Sequence, residues 1–370
     1  MATLEPVVPW SSDSVLSVME LAKEPMTTVP QKYIRPDQEL PTLSVSNCST
    51  LPTIPTIDMK KLVSGKATDL ELEKLHSTCK AWGIFQLVNH GVSSSLLERL
   101  KHETEEFFML PLEEKTKYKA RPGDFEGYGT IIRCKDQKLD WGDRLYMIIN
   151  PTHRRKPYLF PELPSSLRTT LESYISKQQK LAMTLLGFMG KALNMDIKDI
   201  EELFEDGMQS MRMSYYPPCP QPELVVGLTP HSDATGITIL HQVNGVHGLQ
   251  IKRDGAWIPV NFLADSFIVN VGDVMEILSN GAYTSIEHRV TVNSDNERIS
   301  IATFFNPKFE AEFGPVTSTL SPKNPPLFKR IGMEEYVKDF FSRNLNGKSH
   351  LEKMRIKSGE ATLIDGQKDV

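Results

Sequence analysis

The sequence predicts an α+β protein with a mainly β core, and three observations carry that expectation. The first half has helical periodicity with only occasional strands. From about Gln209 the texture changes to short alternating or β-branched runs, about ten residues apart. Gly, Asn, Asp or Pro separates many of these runs, as at Asn244-Gly245, Asp254-Gly255 and Asn280-Gly281. Short strands at regular spacing with turn signals predict an antiparallel sandwich or barrel, not a parallel α/β sheet.

Taken in order, Ser14 to Ala22 places apolar residues at Val15, Leu16, Val18, Met19 and Leu21, and Pro25 closes that helix. Residues 36–56 are rich in Pro, Ser and Thr and read as a loop or arm. Ile54 to Met59 reads as a short buried strand. Thr68-Asp69-Leu70-Glu71 forms a capping box for a helix with Leu72, Leu75 and Cys79 inward. Gly83 ends it, and Ile84 to Val88 has the composition of a strand. A second capping box, Ser95 with Glu98, opens a helix facing Leu97, Leu100, Phe107 and Phe108 inward. The longest helix runs from about Leu167 to Leu193, with Leu171, Ile175, Leu181, Leu185 and Met189 on one face. Seven strand-like runs follow: SMRMSYY, TGITIL, GLQIK, WIPVN, SFIVNVG, HRVTVN and RISIATFF. A last helix spans Met333 to Phe341, and the tail after Met354 is polar.

Composition narrows the function. The 370 residues carry a net charge of −5, with 39% hydrophobic and 24% charged residues. An acidic balance without a basic stripe argues against nucleic acid as partner. Four cysteines, Cys48, Cys79, Cys134 and Cys219, form no CxxC pair, which fits reduced thiols. The first residues show no signal peptide, and Leu181 to Leu193 is too short to span a bilayer. The expectation is a soluble, cytoplasmic monomer that meets no membrane. Neither a dinucleotide-binding glycine fingerprint nor a P-loop is present.

Residues 229–300 contain TPHSD, SIEHR and ERIS. On a strand, His231 and Asp233 at i and i+2 share a face. His288 lies in another strand-like run. Two imidazoles and one carboxylate on one side of a metal leave open positions, which suits a non-haem iron(II) centre using O₂. Arg298 and Ser300 follow on a strand. An arginine directed into an apolar barrel calls for an anion, and a guanidinium with a hydroxyl makes a carboxylate receptor. The alternative for Arg298 is a salt bridge at the rim, to Glu297 or Asp295.

With these motifs the sequence resembles the plant 2-oxoglutarate- and Fe(II)-dependent dioxygenase family, nearest its senescence-related and codeine O-demethylase-like branch. The resemblance runs from about residue 12 to Ile356. It includes VPQKYIRP (29–36), IPTIDM (54–59), AWGIFQLVNHGV (81–92), FFMLPLEEK (107–115), YYPPCPQPE (215–223), GLQIKRDGAWIPV (248–260) and VNVGDVMEILSNG (269–281). It implies a distorted jelly-roll (double-stranded β-helix) core flanked by N-terminal and C-terminal helices. The implied division is an N-terminal helix and arm (1–50), a helical region (51–205), the catalytic jelly roll (206–310) and a C-terminal helix and tail (311–370).

By position, the resemblance makes His231, Asp233 and His288 iron ligands, and Arg298, Ser300 and Tyr216 contacts of 2-oxoglutarate. Ser214 stands where the family usually has asparagine, which implies a tuned co-substrate affinity. The implied activity is oxidation of a substrate C–H bond by O₂, by hydroxylation or O-demethylation, with succinate and CO₂ released and ascorbate as reductant. The implied substrate is a small alkaloid-like or phenolic molecule. Arg144 and Tyr146, after LDWGD, and Phe304 and Phe305, after Ser300, are the candidate substrate contacts. For each phenylalanine core packing is the alternative. Arg144 implies an acidic or hydrogen-bond-accepting substrate. His90 reads as structural, His241 as a core or supporting residue, and the sequence gives no reason for His247. Three other readings stay open: an iron oxidase that does not use 2-oxoglutarate, a catalytically silent jelly-roll binding protein, and a zinc hydrolase.

Overall fold

A computed structural model describes residues 17–35, 53–65, 68–130 and 137–357. Cys48, Cys134, most of the 36–56 arm and the last of the polar tail lie outside them. In chain order come α1 (Val18–Lys23), β1 (Thr56–Asp58), α2 (Met59–Val63), α3 (Thr68–Ala81), β2 (Ile84–Val88), α4 (Ser94–Met109), α5 (Leu112–Thr116), β3 (Gly127–Tyr128) and β4 (Asp143–Asn150). Then follow α6 (Ser165–Ala192), α7 (Ile197–Phe204), β5 (Gln209–Tyr216), β6 (Leu228–His231), β7 (Ile237–Gln242), β8 (Leu249–Arg253), β9 (Ala256–Pro259) and β10 (Phe267–Val271). The chain continues through α8 (Asp273–Leu278), β11 (His288–Val290), β12 (Arg298–Phe305), β13 (Glu312–Phe313), β14 (Ile331–Gly332), α9 (Met333–Phe341) and α10 (Ser349–Met354).

The jelly roll is built from an eight-stranded sheet, ordered β1-β2-β10-β7-β12-β5-β4-β3, and a four-stranded sheet, ordered β6-β11-β8-β9. Strand alternation divides the larger sheet into two chemically distinct faces. Met211, Met213, Ile237, Ile239, Val269, Ile299 and Ile301 are buried in the main apolar core, together with Leu171, Ile175, Leu185 and Met189 of α6. Burying a side chain of this size stabilises the fold by about 1.5–3 kcal/mol. The alternate residues, Ser210, Arg212, Ser214, Thr238, Gln242 and Ser300, are polar and point into the barrel. A polar interior beside an apolar exterior is what a binding site needs, and the period-two pattern sets it.

Local signals act unevenly. Gly83 does end α3, with φ +64, and a Cβ there would lie 2.0 Å from Thr284 O. Both capping boxes fail. Thr68 Oγ1 donates to Leu62 O at 3.3 Å, and Glu71 Oε1 accepts from Asp58 N at 2.8 Å, so both side chains serve α2 and β1 instead. In α4 the cap position is Ser93, without a side-chain bond, and Ser95 falls inside the first turn. Its hydroxyl meets Ser93 Oγ at 3.3 Å. The N-terminal helix is α1, capped by Ser17, which accepts from Glu20 N at 3.2 Å. Cys79 and Cys219 are free and buried, as expected of reduced thiols.

Glu126 gives the fold a pH dependence. It is buried, and its Oε2 accepts from Ile148 N at 2.6 Å. Burial pushes its carboxyl from 4.5 up to about 7, against the pull of that bond. The native state therefore keeps a proton that the unfolded chain releases, so stability falls as pH rises from about 4.5 to about 7. Glu126→Gln keeps an acceptor for Ile148 N and removes the charge. Denaturation should find the variant more stable than the parent at pH 8, by about 3 kcal/mol at most, and equal to it below pH 4.5. An equal difference at both pH values would contradict this.

Candidate functional site

The two histidines meet because their strands pair. β6 ends at His231, β11 begins at His288, and the two are direct register partners with ring centroids 4.4 Å apart. Asp233 corrects the strand reading, for it lies two residues beyond the end of β6. Its place comes from bonds rather than alternation: its carbonyl accepts from Asp273 N at 2.7 Å, and its Oδ2 accepts from Thr238 Oγ1 and Asn270 Nδ2, each at 2.7 Å. Thr238 and Asn270 are partners on β7 and β10, so the larger sheet itself aims this carboxylate.

One ligand atom from each of His231, Asp233 and His288 falls within 4.8 Å of the others. His231 Nε2 lies 3.3 Å and His288 Nε2 lies 3.7 Å from Asp233 Oδ1. The remaining nitrogens are engaged with carbonyls: His231 Nδ1 with Thr229 O at 2.8 Å, His288 Nδ1 with Ile286 O at 3.2 Å. Each ring thus carries its proton on Nδ1 and turns the Nε2 lone pair to the common point. Burial pushes His288 down to about 4, against the pull of Asp233, so it is neutral near pH 7. Burial alone would raise Asp233; the imidazoles and the Thr238 hydroxyl outweigh it and hold the carboxyl below the usual range. Two imidazoles that present Nε2 and one carboxylate, with their other polar atoms engaged, fit a divalent cation.

Deeper in the barrel, Arg298 and Ser300 share one face of β12, opposite Tyr216 and Ser214 on β5. Arg298 is buried; its Nη1 donates to Ser300 Oγ at 3.2 Å and its Nη2 to Gln242 Oε1 at 2.5 Å. Its guanidinium carbon stands 5.2 Å from the Tyr216 ring centroid. Gly248 makes room, since a Cβ there would lie 2.9 Å from Arg298 Cδ. The rim salt bridge is not formed: Glu297 accepts from the Tyr215 hydroxyl and Asp295 from Ser294. Among the described residues Arg298 pairs with no acid, and Arg298 Nε and Gln242 Nε2 are buried donors without partners. Orphaned donors around a buried cation fit a carboxylate.

A cavity opens beside the metal cluster. Its lining includes His231, Asp233, Arg144, Tyr146, Ser210, Arg212, Phe304, Val337, Phe340 and Phe341. Arg144, Tyr146 and Phe304 are therefore among the lining residues. Phe305 is not: alternation along β12 turns it into the main core, 5% exposed. Tyr146 donates to Ser210 Oγ at 2.9 Å and its ring lies 6.2 Å from Phe304 and 5.4 Å from Phe341. Ser214 accepts from Arg212 Nε at 3.1 Å.

The C-terminal wall was not legible in the sequence. Val337, Phe340 and Phe341 come from α9, and Phe341 stacks on Phe125 at 4.1 Å. The segment after α9 is fastened over the metal-site loop: Gly347 N donates to Pro230 O at 3.0 Å, and Gly347 O accepts from Ser232 N at 3.2 Å. Buried Glu276 accepts from Lys348 Nζ at 2.9 Å, Arg355 Nη2 at 3.1 Å and Ser285 N at 2.7 Å. Long-range ion pairs like these leave no periodic trace.

The other histidines stand apart. His90 bonds Asp265 O at 3.1 Å and stacks on Phe267 at 4.1 Å, a structural role. His241 does not share the face of His231; it lies edge-on to Phe267 at 5.7 Å, on the helix side of β7. His247 packs 4.7 Å from Phe262, outside the cavity lining.

Comparison with known proteins follows the same lines. Residues 207–307 match the family described as the 2OG-Fe(II) oxygenase superfamily, and residues 54–164 match the non-haem dioxygenase in morphine synthesis N-terminal family. The chain is 50% identical over 347 residues to codeine O-demethylase of Papaver somniferum, covering 93% of this chain and 96% of that one. It is 49% identical over 346 residues to oxoglutarate-dependent flavonoid 7-O-demethylase 1 of Ocimum basilicum, covering 93% and 92%. The crystal structure of JOX2 in complex with 2OG, Fe and JA superposes with a TM-score of 0.84 at 34% identity, covering 93% of this chain and 99% of that one.

Proposed function

The chain belongs to the 2OG-Fe(II) oxygenase superfamily, and within it we propose that it acts as a cytoplasmic, monomeric O-demethylase of an aromatic plant metabolite. It is an Fe(II)- and 2-oxoglutarate-dependent oxygenase, and no helix among the described residues is long and apolar enough to cross a membrane. The observation that carries the reading is a cavity that runs from His231 and Asp233 of the metal cluster to an aromatic wall, in a barrel that also buries Arg298 with no acid paired to it and its Nε without a partner. Relatives named as demethylases of codeine, thebaine and flavonoids support the choice of reaction.

On this reading His231, Asp233 and His288 hold iron. Arg298 and Ser300 bind the distal carboxylate of 2-oxoglutarate, with Tyr216 beneath the guanidinium. Bound there, iron and 2-oxoglutarate supply the oxidation of a C–H bond by O₂, with succinate and CO₂ released; ascorbate keeps the iron ferrous between turnovers. The chain's own residues do the rest. Thr238 and Asn270 fix the Asp233 carboxylate, and the Thr229 and Ile286 carbonyls fix both imidazoles. Tyr146, Phe304 and Phe341 orient a flat ring so that one C–H bond faces the metal, and the C-terminal wall excludes water. Hydroxylation of a methoxy carbon gives a hemiacetal that collapses to a phenol and formaldehyde. The test is turnover of methoxylated alkaloids, flavonoids and phenolic acids. Formaldehyde and succinate should form in equal amounts; succinate with a ring- or chain-hydroxylated product and no formaldehyde would replace demethylation by hydroxylation.

A further inference from the structure

Two sequence motifs, VPQKYIRP and LDWGD, stand apart from the metal and co-substrate residues, and the fold brings them together. Leu139 N donates to Lys32 O at 2.9 Å, and the Tyr33 ring meets Trp141 edge-on at 5.2 Å. Arg35 N donates to Leu224 O at 3.0 Å, and Trp141 N donates to Val226 O at 2.7 Å. The backbones that carry Arg35 and Asp140 are thereby fixed beside the start of β6. Their side chains pair, Arg35 Nη2 with Asp140 Oδ1 at 2.7 Å, and are only 12% and 25% exposed.

What this pair holds is Thr229. β6 is an edge strand, and its ladder with β11 skips Thr229 and Pro230: the register partners are Leu228 with Val290 and His231 with His288. Asp140 supplies the bond that the ladder does not. Its Oδ1 accepts from Thr229 N at 3.1 Å and from Thr229 Oγ1 at 2.6 Å, and that hydroxyl accepts from Arg35 Nη2 at 2.7 Å. Hydrogen bonds to a carboxylate are roughly twice as strong as neutral ones, so the grip is firm. The carbonyl of the same residue, Thr229 O, accepts from His231 Nδ1 at 2.8 Å. Without its grip the Thr229 peptide could tilt, and a tilt would turn the His231 ring and swing its Nε2 lone pair away from the common point.

We propose that Asp140, braced by Arg35, is a positioning residue of the metal centre: acting through Thr229, it sets the orientation of the His231 ring without belonging to the His231–Asp233–His288 cluster. The inference rests on the iron site proposed above. The test is anaerobic titration of the full chain with Fe(II), and with Co(II) as a coloured probe. Substrate and 2-oxoglutarate are left out, because Asp140 also lines the cavity. Outer partners of metal ligands are worth about ten- to a hundredfold in metal affinity, and Asp140→Ala should weaken both metals by that factor. At saturating metal it should also shift the visible Co(II) bands, which loss of general stability would leave alone. Asp140→Asn keeps an acceptor for Thr229 and should lose less than Asp140→Ala. Thr229→Val removes the hydroxyl link but no charge, and should shift the same Co(II) bands; it decides the question if Asp140→Ala does not fold. Parental affinity and parental bands in Asp140→Ala, or parental bands in Thr229→Val, would overturn the inference. So would equal losses in Asp140→Ala and Asp140→Asn, which would assign the effect to the charge of the carboxylate rather than to its bonds. In each of these cases the parent protein still binds metal, so the broader function stands; a parent protein that binds neither metal would remove both.

Discussion

Asp233→Ala is expected to lose iron and all measurable turnover while keeping the fold. Asp233 is the anionic member of the cluster, and its Oδ1 is the point both imidazole Nε2 atoms face. Residues that merely orient metal ligands are worth about ten- to a hundredfold in affinity or activity, so loss of a ligand should exceed a hundredfold. The substitution also strands Thr238 Oγ1 and Asn270 Nδ2, which now donate to Oδ2. Each stranded donor costs about 1–3 kcal/mol, so a modest drop in stability should accompany the loss. Asp233→Asn separates the two effects: the amide oxygen still accepts a bond, but the charge is gone. Iron content after anaerobic loading checks both variants. Stoichiometric iron with more than a tenth of parental turnover in Asp233→Ala would show that the carboxylate is not a ligand.

The second large effect is at Arg298. On the proposed function, Arg298→Met removes the cation that would receive the distal carboxylate and would leave that anion buried without a partner. Breaking a buried pair in this way costs about 3–5 kcal/mol. The 2-oxoglutarate affinity should therefore fall by roughly a hundred- to several-thousandfold, whereas iron affinity should change little. Arg298→Lys restores charge but not the planar fork that bonds Ser300 and Gln242 together, so recovery should be partial. Equilibrium binding of 2-oxoglutarate under anaerobic conditions gives the answer. Unchanged affinity in Arg298→Met would mean that the guanidinium serves another anion, as in an iron oxidase that does not use 2-oxoglutarate.

The fold was legible wherever one period dominates. Strand alternation from Gln209 onward and the apolar stripe of α6 both survive in the structure, because each is enforced by burial of many side chains at once. The same alternation settles Phe304 against Phe305, a choice open to sequence reasoning once β12 is known to face the cavity at Arg298 and Ser300. It also exposes Arg212, which shares parity with Ser214 and Tyr216 in the run MRMSYY. Capping boxes misled because Glu71 found a stronger partner in Asp58 N, and Ser95 fell one residue inside its helix. Asp233 was named for an inexact reason: the strand ends at His231, and bonds from β7 and β10 place the carboxylate. The C-terminal wall and its Glu276 fastening join residues 72 and 79 positions apart, and no local pattern encodes such contacts.

The central claim is that one barrel interior holds iron at His231, Asp233 and His288 and 2-oxoglutarate at Arg298. Anaerobic titration of the purified protein with Fe(II) and then 2-oxoglutarate tests it most directly, read by the weak visible metal-to-ligand charge-transfer absorption that forms only when the keto acid chelates the metal. The account predicts that the band saturates at one equivalent of each in the parent protein and is absent in His288→Ala. Folded protein that binds iron but develops no band at saturating 2-oxoglutarate would contradict it.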